Sequence, residues 1–156
     1  MDDPWIDQFS ESSNGVTVQN LTDTALPALE QKLMGVPAAV LATEGPRDIG
    51  EIAIVLTSDR HLAGLHDEHL GDSSVTDVMT YPYNSPGDAI SGDIVISLDR
   101  AKVQATEEDW SINDEVLFIA IHGMLHLCGW NDHDDASREA MHRRQRQILD
   151  TLNADG

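Results

Sequence analysis

Two histidines four residues apart, His122 and His126, carry the clearest chemistry in this chain. On a helix of 3.6 residues per turn they differ by about 40° and stand one above the other on one face. That is a two-ligand metal face. A third ligand cannot come from further along the same straight helix, because ten residues on lies about 15 Å away along the axis. The chain has to turn back, and Gly129 permits the left-handed conformation that ends a helix. Asp132 and His133, ten and eleven residues after His122, can then swing toward the two imidazoles. The pattern predicts a metal site made of His122, His126 and either Asp132 or His133. Three protein ligands with an open fourth position describe a catalytic zinc site, with one Zn2+ per chain.

An isolated pair of histidines at this spacing can also be a hydrogen-bonded core pair. The glycine stop and the further donors within a dozen residues favour the metal. Cys128 lies about 240° around the axis from His122, which points it away from the site and into the core. Position 123 is Gly, where a zinc peptidase of the H-E-x-x-H kind carries its general base, so that mechanism is not available. The glycine instead lets another element approach closely. The water is then deprotonated by the metal itself or by a carboxylate from elsewhere, for which Asp77 and Asp93 are the candidates, each also readable as a turn or strand-end acid.

The helix that carries the histidines runs from Ser111 to Leu127, with Ser111 or Asn113 as cap. Its apolar residues, among them Val116, Leu117, Ile121, Met124 and Leu125, surround most of the axis, the pattern of a helix through the core. A last helix starts after Asp134 or Asp135 and runs past Ile148 and Leu152. Upstream, Val16-Thr17-Val18 reads as a short strand and Leu26 to Met34 as a helix ended by Gly35 and Pro37. Ile52 to Leu56 reads as a strand covered on both faces. A helix through Leu62, Leu65 and Leu70 and a strand from Val75 to Tyr81 follow, which predicts a parallel crossover. Ile94 to Leu98 is a further strand, antiparallel to its neighbour. The expectation is an α+β fold: a single domain over 16–156 with a small mixed sheet of about four strands, preceded by a mobile acidic and polar tail over 1–15.

The 156 residues include 28 acids and 9 bases, for a net charge of −19, with 40% hydrophobic residues. The length suits one domain, and the apolar fraction is too high for a disordered chain. The single cysteine and the lack of a signal-like start point to the cytoplasm, and no apolar run approaches the roughly 18 residues of a membrane span. Such a charge repels phosphate backbones, so any nucleic-acid role must use a local patch. Arg138, Arg143, Arg144 and Arg146 place four of the nine bases on the last helix and leave −18 outside residues 134–156. They are a candidate RNA-backbone contact, and equally suit the dipole of a helix C-terminus.

The stretch from His122 to Trp130, HGMLHLCGW, resembles the H-G-x-L-H-L-x-G-Y signature of the YbeY family of metal-dependent endoribonucleases. Thr76 to Tyr81 is similar to that family's T-D-V-L-S-F strand, and Ser91 to Ser97 to its G-D-I-x-I-S strand. The resemblance implies an α+β fold with zinc near the edge of a small mixed sheet. It also implies a role in rRNA maturation, at the 3′ end of small-subunit rRNA, and in ribosome quality control. Two departures stand out. Most of the family has its third histidine ten residues after the first, where this chain has Asp132, with His133 one later. An arginine common upstream of the T-D-V strand corresponds to Leu70. Both features together resemble a minority subtype with Asp at the third-ligand position. The implied activity is single-strand-specific, zinc-dependent RNA cleavage, with single-stranded rRNA and ribosomal particles or ribosome-associated proteins as partners. A zinc-stabilised ribosome assembly factor without catalysis is the alternative.

Overall fold

The computed structural model describes residues 11–13, 15–44, 48–61, 78–83 and 89–155. Five strands form one sheet: β1 (Glu11–Ser13), β2 (Val16–Asn20), β3 (Ile49–Thr57), β4 (Val78–Pro82) and β5 (Ile90–Ser97), in the order β1-β2-β3-β5-β4. Among the described residues the helices are α1 (Pro27–Met34), α2 (Val36–Glu44), α3 (Leu98–Glu108), α4 (Ile112–Leu127) and α5 (Asp135–Asp155). β2, β3 and β5 run parallel, and the two outer strands are antiparallel to their neighbours, so the sheet is mixed and the fold is α+β.

The four expected strands are present, with β1 added at one edge. Its pairing with β2 takes Glu11–Ser13 out of the tail expected up to Gly15. The parallel crossover is placed differently from the sequence expectation. β4 does not run beside β3; it is the antiparallel edge partner of β5, and β5 is the parallel neighbour of β3. Local patterning identifies strands but carries no information on which of them pair. The expected helix through Leu62, Leu65 and Leu70 lies outside the described residues, as does Asp77.

Two helices are additional to the sequence reading. Pro37 does not stop the helical path; Gly35 separates α1 from α2, and Pro37 sits in the first turn of α2, where a missing N–H costs nothing. α3 begins directly after β5, capped by the Ser97 hydroxyl, which accepts from the Arg100 N–H at 3.1 Å. Ser111 caps α4 in the same way through the Asp114 N–H, and the Asp134 carboxylate caps α5 through the Ser137 N–H at 2.7 Å. That backbone N–H holds the Asp134 carboxyl below its ordinary pKa.

α4 is the centre of the molecule. It packs on β4 and β5 and is touched by α1, α2, α3 and α5. Leu117, Ala120, Ile121, Met124 and Leu125 are fully buried against Ile52, Ile54, Ile94 and Ile96 of the sheet. Burying each large apolar side chain contributes about 1.5–3 kcal/mol of transfer free energy. Gly123 sets the approach of helix and sheet: a Cβ there would stand 2.8 Å from Ile94 Cγ2 and 3.1 Å from Thr80 Cγ2. The element that this glycine admits is therefore the protein's own sheet. Val55, Met79 and Val95 form a smaller apolar cluster, packed with Leu21 and Tyr81.

Candidate metal centre

α4 ends in a Schellman turn. The Trp130 N–H donates to the Leu125 carbonyl and the Gly129 N–H to the His126 carbonyl, both at 3.0 Å, with Gly129 at φ 103°. A glycine is required there because an L side chain is strained at that φ. The turn reverses the chain and returns Asp132 to the histidine face. His122 Nε2 and His126 Nε2 lie 2.9 Å apart, and Asp132 Oδ2 lies 3.5 Å from the first and 3.9 Å from the second. All three ligand atoms fall within 4.8 Å of one another.

The proton positions on the imidazoles follow from their partners. The Gln145 amide nitrogen donates to the Phe118 carbonyl at 3.1 Å, which turns its amide oxygen toward His122 Nδ1, 3.0 Å away. That oxygen only accepts, so His122 Nδ1 carries the proton. His126 Nδ1 lies 2.9 Å from the Trp130 carbonyl, which likewise only accepts. Both Nε2 atoms therefore present lone pairs to the point that Asp132 Oδ2 also faces. Three acceptors converging at this spacing repel one another unless a cation sits among them. Bonds of about 2.0–2.1 Å at tetrahedral angles require donors roughly 3.3 Å apart, and the observed triangle brackets that value. The residues fit a metal ion. With side-chain exposures of 18%, 27% and 36%, His122, His126 and Asp132 are all partly open to solvent.

Trp130 ties this turn to two other elements. Its indole N–H donates to the Glu44 carboxylate at the end of α2, at 2.6 Å, and the Arg144 guanidinium lies 5.6 Å from its ring centre. The backbone that holds His126 is thus anchored from α2 and covered from α5.

Other sequence candidates are placed elsewhere. His133 is exposed, its N–H on the Asn131 side chain, and it does not join the triangle. Asp93 lies between Gly92, which faces Leu127, and Ile94, which faces Gly123, so the strand pleat sends its side chain to the opposite face of the sheet. There it accepts from the Tyr83 hydroxyl. The expectation of Asp93 as a base beside the metal does not survive this geometry. The four arginines do not make one stripe either. At 100° per residue Arg143 lies about 160° from Gln145, and Arg144 and Arg146 lie about 100° to either side. Arg138 pairs with Asp135 at 2.8 Å. Cys128 packs against the core as expected.

The sequence reading did not identify Gln145, Trp130, Glu44 or the cleft next to the triangle. Gln145 had a signal: it shares the buried stripe of α5 with Met141, Ile148 and Leu149, where a polar side chain needs a partner. The cleft, about 430 Å³, is lined by His122, Asp132, Gln145, Phe118, His142 and Glu115 among others.

A family profile described as Endoribonuclease YbeY matches residues 14–153. A protein of Thermus thermophilus named Endoribonuclease YbeY is 39% identical over 116 residues, covering 72% of this chain and 83% of its own. Proteins of the same name from Parabacteroides distasonis and Desulforamulus reducens are 35% and 30% identical, covering 83% and 88% of this chain and 91% and 96% of theirs. The solution structure of TM1509 from Thermotoga maritima superposes with a TM-score of 0.63 over 90% of each chain, at 21% identity, and shares the fold. With a family profile spanning nearly the whole chain and relatives of this identity, the chain belongs to the endoribonuclease YbeY family.

Proposed function

We propose that this protein is a single-strand-specific, zinc-dependent endoribonuclease that acts in the cytoplasm on the 3′ end of small-subunit rRNA and in ribosome quality control. The observation that carries the reading is the triangle of His122 Nε2, His126 Nε2 and Asp132 Oδ2, partly open to solvent and adjoining a cleft. In this reading Asp132 is the third ligand and His133 stays outside. A zinc ion held there supplies Lewis-acid polarisation of a phosphoryl oxygen and activation of a nucleophile.

The protein's own residues do the positioning. Gln145 and the Trp130 carbonyl hold both imidazoles in one tautomer, so no reorganisation precedes metal or substrate binding. The cleft admits an unstacked strand, whose phosphates and sugars are reachable, and excludes a stiff duplex. Arg144, on Trp130, adjoins the ligand-bearing turn and is the arginine we assign to the RNA backbone there. Among the described residues, no helix is long and apolar enough to cross a membrane. A net charge of −19 opposes autonomous capture of RNA, so a ribosomal particle or ribosome-associated protein supplies much of the binding energy.

The test compares purified protein on single-stranded, duplex and ribosome-borne rRNA, with and without a chelator and with His126→Ala. Cleavage confined to single strands and lost in both controls is expected. Chelator-resistant cleavage equal in both proteins would place the activity elsewhere. Metal binding without cleavage, even on ribosomal particles, would leave a metal-stabilised assembly factor.

A further inference from the structure

The cleft beside the triangle is unsuited to phosphate along much of its length. Glu107 and Glu108 at the end of α3 and Glu115 on α4 line it, and carboxylates repel a phosphodiester. The same cleft offers an aromatic surface. His142 on α5 is exposed, with its ring centre 5.9 Å from that of Phe118 and 6.5 Å from that of His122. Trp110 braces Phe118 edge-on, with ring centres 5.1 Å apart at 87°. An exposed imidazole tilted at 53° against a braced phenyl ring, one ring away from a metal ligand, offers a face to a flat group. In an RNA strand the flat group next to a phosphate is the base of the same nucleotide, joined to it through the ribose.

Resting on the ribonuclease reading above, we propose that His142, beside Phe118, stacks the nucleobase adjoining the scissile phosphate. The glutamates around it accept hydrogen bonds from that base's amino group. Stacking tolerates any base because every base has a π-face. The rim discriminates: carboxylates accept from the amino groups of cytosine, adenine or guanine, as in Glu recognition of cytosine N4, whereas uracil offers only its N3–H, flanked by two carbonyl oxygens that carboxylates repel. The subsite thus selects amino-bearing bases over uracil, and places base and phosphate by opposite chemistries at its two ends.

The experiment uses the metal-loaded full chain. Binding of fluorescein-labelled, uncleavable 2′-deoxy oligomers of cytosine and of uracil is measured by anisotropy, and cleavage of the corresponding oligoribonucleotides is measured alongside. His142→Ala should weaken binding of the cytosine oligomer about five- to tenfold and act on KM more than on kcat, and His142→Phe should restore both. Glu107→Gln with Glu108→Gln should reduce the preference for cytosine over uracil. Because His142 is exposed, its variants should keep the wild-type melting temperature and metal content. Unchanged affinity in His142→Ala, or His142→Phe behaving like His142→Ala, overturns the proposal. Base-dependent binding that needs His142, without cleavage by the wild type, sinks the ribonuclease reading and keeps the subsite.

Discussion

The Gln145 amide oxygen and His122 Nδ1 are 3.0 Å apart, across 23 residues of sequence. Because the amide nitrogen of the same side chain is committed to the Phe118 carbonyl, this contact has one polarity and sets which imidazole nitrogen faces Asp132. Gln145 is 1% exposed, so its orientation is enforced by packing as well as by hydrogen bonds. Gln145→Leu should lower metal affinity about 10–100-fold, the usual effect of losing a ligand's supporting partner, and Gln145→Glu should recover most of it. Competition against a chromophoric chelator reads this directly, and equal affinity in Gln145→Leu and wild type would show that the amide does not set the tautomer.

Asp132 and His133 separate by substitution. Asp132→Ala should lose most bound metal while His133→Ala keeps about one ion per chain, because the Asp132 carboxylate faces both histidines and His133 is exposed. Metal analysis of the two purified variants decides it; loss of metal only in His133→Ala would reverse the assignment.

Glu44 acts on the centre through Trp130. The carboxylate accepts the indole N–H at 2.6 Å, and the backbone of the same tryptophan holds His126. Trp130→Phe keeps an aromatic ring beside Arg144, though a smaller one, and removes the N–H donor. It should weaken metal binding several-fold and lower the melting temperature by a few degrees, consistent with about 1 kcal/mol or more for a charged hydrogen bond. Glu44→Gln should be milder, since the amide oxygen still accepts. If Trp130→Phe matches wild type in both measurements, the anchor does not matter to the site.

Gly123→Ala and Gly92→Ala test the close contact of α4 with the sheet. At position 123 the gain in helix propensity, about 1 kcal/mol, opposes an overpacking cost of about 1–3 kcal/mol against the buried, β-branched Ile94. A net loss of up to about 2 kcal/mol is expected. Gly92→Ala should cost more, because its Cβ would meet the Tyr81 backbone carbonyl at 2.7 Å and Leu127 at 2.9 Å, and a backbone oxygen cannot rotate away. Denaturant unfolding of the two variants should rank them in that order; the reverse order would mean that the sheet yields more easily than Ile94.

Much of the centre was already legible in the spacing of His122, His126, Gly129 and Asp132, because all four lie in one short stretch governed by helix periodicity and a single left-handed turn. Local rules of 3.6 residues per turn need no knowledge of the rest of the chain. The same holds for α4 as a helix apolar on nearly every side, and for the caps at Ser111 and Asp134. What the tertiary structure alone decided involves partners far apart in sequence: Gln145 on His122, Glu44 on Trp130, and β5 between β3 and β4. Strand pairing and side-chain partnership depend on which surfaces meet after collapse, and a period along one segment does not encode the segment it will face. Asp93 shows the limit: its residue type suited a base, but the alternation of a strand whose neighbours pack on α4 turned it to the other side of the sheet.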